Sequence, residues 1–127
     1  ADIDEVLNVI LTGNEFKVNQ ILGRLSSQGT LPITFLIAAT RHFKALFSIV
    51  SNPGGINAGV TALRPPIYGP KKGTLTNQAQ KWGPVKIKKA IKILTATDLQ
   101  LRSSNQLAPQ MALVERLFIR IAILLKS

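Results

Sequence analysis

The 127-residue sequence contains no cysteine and a single histidine, His42. The first absence excludes a disulfide scaffold, a thiolate nucleophile and any cysteine-based zinc or iron–sulfur site. The second excludes a histidine-rich metal site. Nucleophilic catalysis of the Ser/His/Asp kind would rest on His42 alone, and His42 follows Arg41 with no acid near it in sequence. It is expected to be structural or solvent-facing. Acids are also scarce: Asp2, Asp4, Glu5, Glu15, Asp98 and Glu115. So scattered, they give no carboxylate pair for acid–base work and no oxygen cluster for a divalent cation. There is no glycine-rich loop of the Walker type. The expectation is a non-enzymatic chain with no catalytic residues, no metal and no cofactor. No basic-then-apolar leader is present and no run of 18 apolar residues, so the chain is expected to be soluble and cytoplasmic, without a membrane partner. Ala1 in place of Met reads as a fragment or processed product.

Hydrophobic residues make up 46% of the chain, mostly leucine and isoleucine, enough to build one core in a single domain spanning 1–127. The formal net charge is +10. Between Glu15 and Asp98 there is no acid but twelve Lys or Arg. An acid-free basic middle attracts phosphate backbones or acidic partner surfaces. The plainer alternative is that compensating acids lie elsewhere in a parent protein.

Apolar spacing points to helices throughout. Ile3, Val6, Leu7, Ile10 and Leu11 mark one buried face of a first helix, capped by Asp2 or Asp4 and stopped by Gly13. Asn14 is expected to cap a second, with Phe16, Val18, Ile21, Leu22 and Leu25 inward and Gly29 at its end. So short a linker packs the two as an antiparallel hairpin. Thr30 is expected to cap a third helix reaching Val50, with Pro32 in its first turn. Ser51-Asn52-Pro53-Gly54-Gly55 is a break, and the best candidate for a flexible loop near 51–56. A short helix is expected at 57–63, an extended proline-stiffened loop from Arg64 to Gly73, a helix from Leu75 to Trp82 and, after Gly83, another from Pro84 to Arg102. Asp98 and Arg102 are spaced for an i, i+4 ion pair. A turn over Ser103–Gln106 leads to a last helix starting at Pro109. Nothing alternates with period two, so the fold class is all-α, a compact bundle of five to six helices.

Two features suggest contacts. Arg64, Lys71 and Lys72 flank Tyr68 in the stiff loop, offering charges for phosphates and a ring face for stacking on an unpaired base or sugar. The alternative is that Tyr68 packs back on the domain. Trp82 is expected in the core, and the Lys86–Lys92 face to be a solvated face, the alternative being that it meets phosphate and raises affinity with a steep salt dependence. The last helix is apolar on two sides. Leu113, Val114, Leu117, Phe118, Ile121, Leu124 and Leu125 form its main face, while Ala112, Ile119 and Ile123 form a second, narrow stripe suited either to central burial or to another chain.

Taken in order, these segments resemble a known family. Leu11-Thr12-Gly13-Asn14, Ile21-Leu22-Gly23-Arg24-Leu25, Gln28-Gly29-Thr30-Leu31-Pro32 and Arg41-His42-Phe43-Lys44-Ala45-Leu46 form one block. Leu63-Arg64-Pro65-Pro66-Ile67-Tyr68 with Lys71-Lys72 forms a second. Trp82, Ile91 to Leu94 and Asp98-Leu99-Gln100-Leu101-Arg102 form a third. Together they are similar to the C-terminal domain of the delta subunit of bacterial DNA polymerase III, part of the sliding-clamp loader. Gly69 stands where relatives often carry a second aromatic, and Arg102 where lysine is usual. The resemblance implies a clamp-loader collar-like fold and a non-catalytic assembly role in DNA replication. Its implied partners are the C-terminal domains of the gamma/tau and delta-prime type subunits, and primed DNA. The sliding clamp would be met only through an N-terminal module outside this chain. It implies DNA contacts at Arg64, Tyr68, Lys71 and Lys72; the second stripe, Ala112, Ile119 and Ile123, is the candidate subunit interface. The runner-up is a free-standing basic helical nucleic-acid-binding domain. A third reading lays the Lys86–Lys92 helix on anionic lipid.

Overall fold

The computed structural model describes residues 2–103 and 110–126, and the expected turn after Ser103 and helix start at Pro109 lie outside that range. Six helices and no strand occur among the described residues: α1 (Asp2–Leu11), α2 (Glu15–Ser27), α3 (Pro32–Val50), α4 (Ile56–Thr61), α5 (Pro70–Arg102) and α6 (Gln110–Lys126). The all-α bundle read from apolar spacing is the architecture found.

The first two helices end as their glycines dictate. Asn14 N–H bonds the Val9 carbonyl and Gly13 N–H that of Ile10, while Thr30 N–H and Gly29 N–H repeat the pattern on Leu25 and Ser26. These paired bonds satisfy carbonyls that the helix cannot reach itself. α1 and α2 pack as an antiparallel hairpin, with Arg24 late in α2 paired to Glu5 early in α1.

The structure departs from the sequence expectation at several points. Phe16 is 84% exposed rather than inward. On the helical wheel it lies opposite Val18, Ile21, Leu22 and Leu25, and its ring sits 5.7 Å from the Lys126 ammonium instead. Asn14 makes no side-chain cap bond. The cap position of α3 is Leu31, not Thr30, with Pro32 opening the helix. The extended loop is shorter than expected: Pro70 already begins α5, so Lys71, Lys72 and Gly73 are helical. Proline lacks only an N–H that no first turn uses, so it starts a helix where it could not continue one. The break at 51–55 is present, held by Gly54 N–H donating to Asn52 Oδ1 at 2.8 Å.

α5 is two helical arms, 70–82 and 84–102, joined at Gly83 with φ 73° and ψ 162°. That backbone conformation carries a penalty for any residue with a Cβ, and Pro84 then opens the second arm. α3 packs most extensively on α5, and α6 lies against α5, α2 and α1. α3 runs antiparallel to the second arm: Phe47 lies by Lys88, and Ile37 and Arg41 by Asp98 and Arg102. Two edge-to-face ring pairs mark the centre of the core, Phe35–Phe118 at 6.4 Å and Phe43–Trp82 at 5.1 Å. α3 is the one helix among the described residues long and apolar enough, by length and composition, to cross a membrane. Its Phe35, Leu36, Ala39, Phe43, Leu46 and Ile49 are buried inside the bundle.

α4 reaches α3 through a glycine. A Cβ built on Gly59 would lie 2.4 Å from the Ile49 carbonyl oxygen and 2.7 Å from its Cα, both backbone atoms. Gly73, in the first arm of α5, faces open space. Gly59→Ala is therefore expected to destabilise the domain by about 1–3 kcal/mol, and Gly73→Ala to stabilise it by about 0.5–1 kcal/mol. Urea unfolding of the two variants beside the parent checks both signs; a neutral Gly59→Ala would mean that α4 is not tightly seated.

Candidate nucleic-acid interface

The sequence-predicted loop residues do not behave as one cluster. Tyr68 is 77% exposed, so its ring does not pack back on the domain. Lys71 and Lys72 follow it on the first turn of α5, both exposed. Arg64 is turned toward its own chain: its Nη1 donates to the carbonyls of Leu63 at 2.8 Å and Thr61 at 3.2 Å, closing the end of α4. The loop presents a bare ring with two lysines beside it in sequence, and an arginine partly committed to local backbone.

Lys71 also borders a groove of about 250 Å³ between α1, α3 and the first arm of α5, together with Asp4, His42 and Gln78. His42 Nε2 lies 2.7 Å from Gln78 Oε1. Burial lowers the imidazole pKa below its ordinary 6.5, and Lys71 adds to the lowering, against the opposing bond from Gln78 and the charge of Asp4. The single histidine is thus half-buried and held against Gln78.

The second stripe of α6 divides. Ala112 is half-buried, Ile119 packs at the edge of the core, and Ile123 is 47% exposed above a shallow recess with Ile93, Arg120 and Leu124. The carboxyl end of α6 is fastened on two sides. Lys86 Nζ donates to the Leu125 carbonyl at 2.6 Å, where a cation suits the negative end of the helix. Lys126 pairs with Glu15 at 2.8 Å and holds that carboxyl below its usual range. Lys86 is therefore not part of a solvated face. The rest of that face is altered too. Lys88 sits 5.9 Å over the Phe47 ring. Lys88 and Lys92 line a groove opposite Lys44 of α3, and the adjoining groove adds Arg41 and Arg102. Sequence spacing along one helix does not show that α3 faces α5 with its own cations.

The charge is segregated by element. α1, α2 and α6 carry Asp2, Asp4, Glu5, Glu15 and Glu115 against Lys17, Arg24, Arg116, Arg120 and Lys126, which cancel. The formal +10 therefore belongs to the stretch from α3 to α5, where Asp98 is the one acid. Asp98 is bound to Arg102 at 2.9 Å, as the i, i+4 spacing predicted. Among the described residues no group of three or more His, Asp or Glu is placed to hold a metal ion. No family model, no curated protein and no solved structure matches this chain.

The His42 surroundings carry a pH prediction. A histidine with a lowered folded pKa favours the folded state above its unfolded value, and that contribution is lost as pH falls below 6.5 and the unfolded chain takes up the proton first. Urea denaturation at pH 7.5 and 5.5 should show the parent losing stability on acidification, and His42→Gln losing less. An equal loss in both would put the proton uptake elsewhere.

Proposed function

We propose that this chain is an assembly domain of the collar type in a bacterial sliding-clamp loader, similar to the C-terminal domain of the delta subunit of DNA polymerase III. In this reading it is a non-catalytic, cytoplasmic module. It joins the C-terminal domains of gamma/tau and delta-prime type subunits and meets primed DNA through the loop at Tyr68.

The observation that carries the proposal is the contrast between the aromatics in the motif series. Trp82 is 3% exposed and bonded into the core, whereas Tyr68 is 77% exposed beside two helical lysines. An apolar ring left in water costs free energy, and stacking on a base recovers about 1–3 kcal/mol. The other motifs of the resemblance fall where they have structural work: Gly13 and Gly29 at helix ends, Pro32 opening α3, and Asp98–Arg102 closing α5. The free-standing nucleic-acid-binding reading draws on a different observation, the concentration of the whole net charge between α3 and α5.

Light scattering coupled to size exclusion tests the proposal, with the chain alone and mixed with the C-terminal domains of the other loader subunits. A defined hetero-oligomer is expected. Ile123→Asp should keep the helical circular dichroism and abolish co-assembly, and intact assembly would remove α6 from the interface. Tyr68→Ala should leave assembly unchanged and weaken loading on primed template by roughly 5- to 150-fold. Failure to join those partners would leave the free-standing reading in its place.

A further inference from the structure

The two grooves between α3 and the second arm of α5 meet at Lys44. Arg41 and Lys44 project from one wall, and Lys88, Lys92 and Arg102 from the other, all exposed. The single acid among the lining residues is Asp98, whose carboxylate already binds Arg102. Four cations thus face the grooves with no carboxylate partner among the lining side chains. Phe47 and Ile91 form an apolar floor beneath the lysines. From Lys88 to the level of Arg41, which lines the groove beside Asp98, the second arm advances about 15 Å at 1.5 Å per residue. That length is too great for one small anion and suits an extended polyanion.

We propose that this α3–α5 face is a track for the phosphodiester backbone of a nucleic acid, separate from the Tyr68 loop. Lys71, next to that loop, lines a different groove with His42 and Asp4, on another flank of α3. Duplex DNA presents about one charge per 1.7 Å of axis. A row of cations at the spacing of helical turns therefore meets a phosphate wherever the duplex registers. An acidic protein segment would have to match the positions of Arg41, Lys44, Lys88 and Lys92 one by one. Backbone contacts of this kind bind without reading sequence, because phosphates carry no base identity. The track stands whether or not the collar proposal does, since it needs no partner subunit.

The test is fluorescence anisotropy of a labelled 20-base-pair duplex titrated with this chain across 50–300 mM salt. Two double variants neutralise one wall each: Arg41→Ala with Lys44→Ala, and Lys88→Ala with Lys92→Ala. All four side chains are exposed, so thermal melts should match the parent and serve as the folding control. Each double variant is expected to weaken binding at least tenfold at low salt and to lower the log–log salt slope by about 1.8. Lys71→Ala with Lys72→Ala, made in the same background, should add its own loss independently. Parental affinity and slope in both wall variants would overturn the proposal. So would displacement of the duplex by polyglutamate at equal charge concentration, which would make an acidic protein segment the occupant.

Discussion

The indole of Trp82 is the point on which the bundle depends. It stands on the last turn before the break at Gly83, its ring edge-to-face with Phe43 of α3, its Nε1–H donating to the Leu11 carbonyl of α1 at 3.2 Å. One side chain thus ties three helices at the place where α5 changes direction. The Leu11 carbonyl belongs to the last turn of α1, where the helix supplies no donor. A buried carbonyl left unpaired costs about 1–3 kcal/mol, so the bond secures the glycine-terminated end of α1 inside the core. The aromatic contact adds about 0.5–1.5 kcal/mol beyond burial. With Trp82 fixed, the first arm holds Lys71 and Lys72 near the Tyr68 loop, and the second arm brings Lys88 and Lys92 opposite α3.

The helices were legible because their apolar positions repeat at helical spacing and their ends are marked by glycine and proline. The α1–α2 hairpin, the junction at Gly83 and the Asp98–Arg102 pair all follow from distances of four residues or fewer. Burial of Trp82 was legible as well. Polar positions at the boundaries were less so. Asn14 holds the cap position of α2 as read but makes no side-chain cap bond, and Thr30 lies one residue short of the α3 cap, where its N–H instead closes the end of α2 on the Leu25 carbonyl. Phe16 read as core from its side chain alone, while the wheel places it outside.

The candidate site was legible in part. Of the two readings of Tyr68, packing back on the domain is not found, since the ring is exposed, with Lys71 and Lys72 following it in the chain. Arg64 is exposed as well, but one guanidinium nitrogen is taken up by the carbonyls of Thr61 and Leu63 at the end of α4, which sequence alone does not show. The basic face was hidden from sequence for a geometric reason. Arg41 and Lys44 are separated from Lys88 and Lys92 by more than forty residues, and only the antiparallel packing of α3 on α5 brings them to one groove. Lys86, the first of the same lysine run, is drawn away to the end of α6. A charge run on one helix is thus an unreliable guide to a surface until its neighbours are known.

Segregation of charge has a consequence for motion rather than for contact. With α1, α2 and α6 neutral as a group and the net positive charge carried from α3 to α5, the molecule carries its positive charge off-centre. In the field of a polyanion it experiences a torque as well as an attraction, so rotational diffusion is biased before collision. Encounters then begin with the α3–α5 side leading, and the fraction that arrive well oriented shrinks as ions shorten the reach of that field, about 10 Å at 0.1 M salt.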